Sequence, residues 1–345
     1  MSVKSVSVQS SKMAHLAAEG QLRRKPQTYW SMAAHEPPTY IRLLLALGFI
    51  AVIALLAILA GPISNGLLGV GPNQTNPANS FQSPYIGPYI KWQLGLDPMT
   101  APLMLGKSGG IPHWLGTDQL GRDQLARLLY GGRVSLTIAL AAATISLVLG
   151  VTVGTIAGFF GGVVDDLIMW VINTVVSIPG IYLLIIVSAI FKPNPLTLTL
   201  FLGFLGWFGT ARFMRGNVFK VKELDYSLAA RSLGARNGRI MVHHLLPNSI
   251  PVIIVVTAID VGALILVESA LSFLGLGIQP PTATWGSMLN RANNFVFLRD
   301  PATGDMMALH LLIWPGLLIT LTVLAFYLIG DGLRDALDPM LKNKK

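Results

Sequence analysis

The stretch VSLTIALAAATISLVLGVTVGTIAGFF at residues 134–160 decides the fold, because it contains no Asp, Glu, Lys or Arg. A helix needs roughly 20 mostly apolar residues to cross a hydrocarbon core of about 30 Å. Five further stretches come close to this length or exceed it: 43–63, 167–191, 196–214, 251–275 and 309–330. The sequence therefore predicts an all-α integral membrane protein with six transmembrane helices.

The composition supports lipid as the main solvent of the chain. Of its 345 residues, 52% are hydrophobic and only 12% are charged, and the mean hydropathy is +0.60. Soluble domains have about 25% charged residues, so the composition excludes an ordinary water-soluble enzyme and a disordered chain. The absence of cysteine excludes a disulfide framework, a thiolate metal site and a cysteine nucleophile.

The positions of Lys and Arg predict the orientation. With both termini in the cytoplasm, 17 of these residues lie in cytoplasmic segments and three in short outer loops, as the positive-inside rule requires. We therefore expect a multi-pass protein of the plasma (inner) membrane. Its basic tail, 1–42, faces anionic lipid, and a second cytoplasmic tail covers 331–345. Because the positive charges follow the inner loops, no nucleic-acid partner is expected.

An extracytoplasmic loop is predicted at 64–133, before a core at 134–330 that holds five of the spans. The loop begins with turn-forming residues, and no role is assigned to 64–112. Its end, TDQLGRDQLARLLYGGR, is predicted to be an interfacial helix with Thr117 or Asp118 as N-cap.

Small and polar residues mark two of the spans. Gly150, Gly154 and Gly158 lie four residues apart on one helical face, which favours close helix packing in lipid, within this chain or with a second subunit. In the third span, Pro179-Gly180 predicts a bend. Asn173 in the same span is a candidate for lining a translocation pathway, although tertiary packing explains it equally well.

The loop 220–250 is the candidate docking surface. Asp225 is predicted to cap a short helix, which carries the Ala229-Ala230 pair and is broken by Gly234 and Gly238. A second amphipathic helix is predicted to end at Pro247. Two short helices around a glycine break form a rigid projection at the inner membrane surface.

This loop resembles the EAA loop of bacterial and archaeal ABC import permeases. That motif reads Glu-Ala-Ala, three residues, Gly, nine residues, Ile, one residue, Leu-Pro. The matching positions here are Ala229, Ala230, Gly234, Leu246 and Pro247. Leu228 stands where Glu is usual and His244 where Ile is usual.

Three longer stretches, 113–136, 268–289 and 315–339, resemble the C-type permease subunit of dipeptide, oligopeptide and nickel ABC importers. This resemblance implies the type I ABC importer permease fold, a MetI-like core with an extra N-terminal helix. It also implies a B-type permease partner, two cytoplasmic ATPases that bind ATP and Mg²⁺, and an extracytoplasmic peptide-binding protein. The matched loop residues would couple the pathway to the ATPases, and the cargo among peptides, nickel complexes and oligosaccharides stays open.

Asp260 and Glu268 support a competing hypothesis. Ionisable groups within a bilayer are costly and indicate a pathway or a proton relay, so a proton-coupled secondary transporter is the second candidate. Glu268 is expected near the outer end, where water reaches it, and Asp260 nearer the middle. An uncoupled channel or scaffold is a third possibility.

No enzymatic or metal-binding residue is predicted in this chain. The sequence lacks G-x-x-x-x-G-K-[ST], so no glycine loop cradles a nucleotide phosphate. His243 and His244 are adjacent and therefore point about 100° apart on a helix, which disfavours a metal pair.

Overall fold

The computed structural model describes residues 39–82, 84, 113–191, 193–295, 297–299, 306 and 308–337. The sequence-based hypotheses for the tail before residue 39, the loop 85–112 and the tail after residue 337 lie outside these residues. The α-helices of the described part are α1 Thr39–Ile58, α2 Gln124–Phe160, α3 Gly162–Val176, α4 Gly180–Phe191, α5 Pro195–Val221, α6 Asp225–Ser232, α7 Asn237–Ile240, α8 Leu246–Phe273, α9 Trp285–Asn293 and α10 Leu309–Leu337. Within the described ranges β-structure is limited to two isolated bridges, Thr117–Asp123 and Arg299–Met306.

Six membrane spans are present when the bent pair α3–α4 counts as one. Five single helical stretches are long and apolar enough to cross a bilayer, and α3 and α4 qualify together across a 72° bend. The prediction of an all-α, six-span membrane protein is therefore confirmed. Several helices run beyond the predicted spans, as α5 to Val221 and α10 to Leu337 show, because hydropathy detects the apolar part of a helix and not its polar ends.

The bend between α3 and α4 falls at Pro179, as the sequence predicted. α3 ends at Val176, and the Ser177 hydroxyl donates to the Thr174 carbonyl at 2.7 Å. The next helix starts at Gly180. Proline has no N–H to donate to the preceding turn, so the helix is interrupted here.

The interfacial helix is placed differently from the prediction. The N-cap of α2 is Asp123, whose Oδ1 accepts the Ala126 N–H at 2.8 Å, so Thr117 and Asp118 are wrong as caps. Asp118 Oδ1 instead accepts the N–H groups of Leu120 and Arg122 and closes a turn. Residues 124–133 are the first turns of α2, and the predicted boundary at 133 falls inside this 37-residue helix.

The three glycines of α2 face α5 of the same chain. A β-carbon at Gly150 would lie 2.6 Å from the Thr210 Cβ, and one at Gly158 would lie 2.8 Å from the Arg215 carbonyl oxygen. At Gly154 it would overlap the Ala211 carbonyl oxygen. Residue numbers increase in the same direction along the two contacting helices, so α2 and α5 are parallel. Their backbones are in direct contact.

The start of α1, the end of α10 and the connection between α5 and α8 lie at one end of the bundle. Near this end, a β-carbon at Gly332 would lie 2.9 Å from the Leu43 Cβ. A β-carbon at Gly330 would lie 2.7 Å from the Ile259 Cγ1, which pairs the end of α10 with the first half of α8. The opposite end carries the start of α2, the short helix α9 and the segment 113–123.

Candidate functional site

The connection between α5 and α8, residues 222–245, forms a compact helical hairpin. Its first helix, α6, ends in a Schellman motif in which the Gly234 N–H donates to the Arg231 carbonyl at 3.0 Å and the Ala235 N–H to the Ala230 carbonyl at 3.1 Å. Gly234 has φ +78°, and no atom lies within 4 Å of the place where its β-carbon would be. This glycine is therefore required for its left-handed backbone and not for contact with a neighbour within the chain.

Two local predictions for the hairpin are wrong. Leu224 is the N-cap of α6, and Asp225 is the first residue of the helix, where its carboxylate complements the helix dipole without capping an N–H. Gly238 lies inside α7 and does not break it. Of the two glycines, only Gly234 ends a helix.

Pro247 does not end the second helix, contrary to the prediction. A π-helical turn, Met241–Leu245, joins α7 to α8, and helix continues from Asn237 to Phe273. The Leu246 N–H bonds to the Met241 carbonyl, five residues back. Pro247 follows in the first turn of α8, where the wider π turn accommodates a residue without an N–H. The hairpin is consequently continuous with a membrane-spanning helix.

The inward face of the hairpin packs onto the ends of α2 and α5. Buried Ile240 and Leu245 form one cluster with Phe159 and Val218, and half-buried Ala230 and Leu246 pack against it. Polar contacts reinforce the junction. The Lys222 ammonium donates to the Gly158 carbonyl at 3.0 Å, and the Arg231 guanidinium lies 5.6 Å from the Phe159 ring centroid. A displacement of the hairpin would therefore act on both helices.

The outward face is apolar and basic. The Leu233 side chain is 87% exposed and that of Leu228 is 41% exposed. Ala229, Gly234 and Pro247 are exposed as well, so the five matched residues divide between the two faces. Three arginines surround these positions: Arg231, Arg236 and Arg239.

Sequence reasoning missed Leu233 as a surface residue. Helical spacing could not have found it, because Leu233 lies three positions after half-buried Ala230, just as Ala230 lies three positions after buried Ser227. Leu233 is the C-cap of α6, so its exposure is decided at the end of the helix and not by that spacing.

The three candidate pathway residues have separate partners. Asp260 on α8 is half-buried and its Oδ2 accepts the Thr210 hydroxyl of α5 at 3.0 Å. Asn173 on α3 is exposed and its Oδ1 accepts a guanidinium N–H of Arg212 at 2.8 Å. These contacts join neighbouring helices and do not bring the three groups into one relay.

Glu268 is fully buried, so the expectation that water reaches it is wrong. Its Oε2 accepts the Ser135 hydroxyl of α2 at 3.0 Å, and its Oε1 accepts the Ser272 hydroxyl at 2.8 Å. The Thr284 hydroxyl, before α9, lies 3.4 Å from that of Ser272. The carboxylate is enclosed between α2, α8 and the start of α9, and it does not line a pathway in this conformation.

A helical membrane core with a compact hairpin joined to one span is consistent with a transport permease. The chain belongs to the family of binding-protein-dependent transport system inner membrane components, whose profile matches residues 150–343. Its fold is therefore the predicted type I ABC importer permease fold, with a MetI-like core and α1 as the additional N-terminal helix.

Relatives in several bacteria are similar over most of their length. A glutathione transport system permease protein of Pectobacterium atrosepticum is 41% identical over 239 residues, which are 69% of this chain and 76% of the relative. A dipeptide transport system permease protein of Bacillus subtilis is 41% identical over 75% of this chain and 77% of its own length. An oligopeptide transport system permease protein of the same organism is 36% identical over 67% and 72%.

Proposed function

We propose that this chain is the C-type permease subunit of an ATP-driven importer of dipeptides or oligopeptides. It forms half of the translocation pathway, and a B-type permease forms the other half. Two cytoplasmic ATPases bind ATP and Mg²⁺, and an extracytoplasmic binding protein delivers the peptide. The similarity to permeases named for glutathione, dipeptide and oligopeptide transport supports a peptide cargo.

The hairpin at 222–245 is the observation that carries the proposal. It presents an exposed apolar and basic surface and is fixed by its other face to the buried cluster that includes Phe159 and Val218. Exposed leucines flanked by arginines suit an ATPase groove that offers apolar walls and an acidic rim.

Coupling follows from the stiffness of this connection. Because α7, the π turn and α8 form one helical path, motion of the docked hairpin reaches the membrane without a flexible linker. The glycine contacts between α2 and α5 leave little room for these two helices to move separately. ATP-driven closure of the ATPase pair thus shifts α8 against the α2–α5 unit and changes which side of the pathway is open.

The orientation with both termini in the cytoplasm belongs to the same proposal. The start of α1 and the end of α10 lie at the hairpin end of the bundle. The cytoplasmic ATPases would therefore meet the membrane on the side of both termini, in agreement with the distribution of Lys and Arg.

Substitutions at Gly234 test the proposal. Gly234→Val places a β-branched residue at a φ of +78°, which disfavours the Schellman turn. Gly234→Asn tolerates that conformation and should retain most activity. The measurement is uptake of labelled dipeptides and tripeptides into cells that express the complete importer, together with co-purification of the ATPases in mild detergent.

Gly238→Ala is the matched control, because Gly238 is helical and a β-carbon there would meet no atom within 4 Å. We expect peptide uptake to fall at least tenfold in Gly234→Val and to stay near the parental value in the control. Uptake that survives ATP depletion but is abolished by a protonophore would instead support the secondary-transporter hypothesis. Normal uptake by Gly234→Val would contradict the role of the hairpin.

A further inference from the structure

A small cavity with polar walls on one side and the apolar residues Met288, Ala292 and Leu311 on the other lies at the end of the bundle opposite the hairpin. Gln124 and Arg127 of α2, Arg291 of α9, and Asp118 and Gln119 of the preceding loop line it. Its volume is about 10 Å³. One water molecule or one monatomic ion fits such a space, whereas a phosphate or a peptide carboxylate does not.

Among the described residues, positive charge is in excess around this cavity. The Asp118 carboxylate is engaged by Arg122, whose Nε donates to Oδ2 at 2.7 Å, while the Arg127 Nε stays 3.7 Å from the same oxygen. Asp123 is engaged as well, since its Oδ2 lies 2.8 Å from the His113 Nδ1. Among the described residues, Arg122, Arg127 and Arg291 therefore depend on the single carboxylate of Asp118.

Two buried donors lining the cavity have no partner in the described part of the chain. Arg127 is 1% exposed and Gln124 is 2% exposed, yet the Arg127 Nη2 and the Gln124 Nε2 make no hydrogen bond. The other terminal nitrogen of Arg127, Nη1, donates to the Pro72 carbonyl and the Asn73 Oδ1, both at 3.1 Å, which fixes the guanidinium in place. Buried donors left without an acceptor destabilise the folded state.

Gln119 completes the lining. Its Oε1 also lacks a partner among the described residues, and rotation of the amide by half a turn would present its NH₂ group instead. The cavity could then offer three N–H donors.

We infer that this cavity binds a monatomic anion of the chloride class, held by Arg127, Gln124 and Arg291. Such an anion accepts the orphaned N–H groups and offsets the excess charge, whereas a water molecule does only the first. The environment of Arg291 agrees with this assignment. Burial and the nearby charge of Arg122 lower its pKa, against the opposing effect of Asp118, and a bound anion would counter the charge of Arg122 and favour the charged guanidinium.

The anion would fasten the start of α2 to α9. These two elements also enclose Glu268, through Ser135 and the residues before Trp285. Occupancy of the site is thus expected to stabilise the extracytoplasmic end of the permease.

Thermal unfolding of the purified importer in sodium chloride and in sodium gluconate, at equal ionic strength, tests this inference. We expect chloride or bromide to raise the Tm by about 2 °C for each tenfold increase in concentration above the dissociation constant. Arg291→Gln should remove this dependence. Gln124→Glu places a carboxylate at the site and should raise the Tm in gluconate while abolishing the response to chloride.

Arg133→Gln is the matched control, because Arg133 is an exposed arginine on the same helix, and it should respond to chloride like the parental chain. Anomalous scattering from bromide in crystals of the parental protein is an independent readout. A Tm that is the same in both salts, together with no bromide peak in the cavity, would show that water fills it. A chloride response that persists in Arg291→Gln would place the anion elsewhere, and either result overturns the inference.

Discussion

Glu268 shows how a single buried carboxylate can organise a membrane protein. Its two oxygens accept hydroxyl groups from Ser135 and Ser272, and the Ser135 Oγ also accepts the Trp285 N–H at 3.3 Å. One acidic group thereby holds α2, α8 and α9 together. In a bilayer such a group is tolerated only where the protein supplies the hydrogen bonds that water would otherwise give.

The first prediction concerns this carboxylate. Glu268→Ala should lower the free energy of unfolding by about 3 kcal/mol, because it leaves a cavity and two hydroxyls without an acceptor. Glu268→Gln keeps the volume and should lose less than half of that amount. Denaturant unfolding in detergent micelles measures the differences, and exposed Glu223→Ala is the control, expected within about 0.5 kcal/mol of the parent. Equal stability of Glu268→Ala and the parent would show that the hydrogen bonds of Glu268 contribute nothing to the free energy of unfolding.

The sequence could not place Glu268 correctly. Its partner Ser135 is 133 residues away in the chain, and hydropathy gives only the depth of a residue along a span. Which side of the helix faces another helix is a matter of packing. By contrast, the need for glycine at position 234 follows from local helix-ending chemistry, which the sequence does carry.

At the scale of elements, the contact between α2 and α5 is the most constrained. The glycines at 150, 154 and 158 bring one backbone against the other. Helices in lipid gain little from hiding apolar side chains and depend on such close packing. The spacing in the sequence indicated the contact, and the structure shows its partner.

The second prediction tests this contact. Gly154→Ala should lower the free energy of unfolding by about 1–3 kcal/mol, because the added methyl group overlaps the Ala211 carbonyl oxygen. Gly216→Ala on α5 is the control, since no atom lies within 4 Å of its β-carbon position, and it should be neutral or stabilise by about 0.5–1 kcal/mol. Both values come from unfolding in detergent. A similar effect of the two substitutions would show that helix propensity, and not the contact between α2 and α5, decides the change in the free energy of unfolding.

At the scale of the whole molecule, apolar surface remains exposed on α3 and α4. Val163, Trp170 and Ile190 are 83%, 64% and 68% exposed. A monomeric soluble protein does not leave such a surface uncovered. This apolar surface is suited to contact with lipid and with the second permease of the proposed assembly.

The third prediction concerns topology, and the chain suits it because it contains no cysteine. Ser232 in the hairpin and Gln279 near the opposite end are both exposed. In intact cells, a membrane-impermeant maleimide should label Gln279→Cys and not Ser232→Cys, while disrupted cells should show labelling of both. The reverse pattern would invert the proposed orientation, and labelling of both in intact cells would contradict the span count.

The sequence by itself determined that the protein lies mainly in lipid, how many spans it has, where the bend at Pro179 falls and where the chain turns at Gly234. Each of these depends on composition or on a few neighbouring residues. Only the tertiary structure decided that the hairpin packs onto the ends of α2 and α5, that Glu268 is enclosed and that Arg127 and Arg291 share a cavity. Those features arise where distant segments meet, and the free energy of such contacts depends on which surfaces the fold brings together.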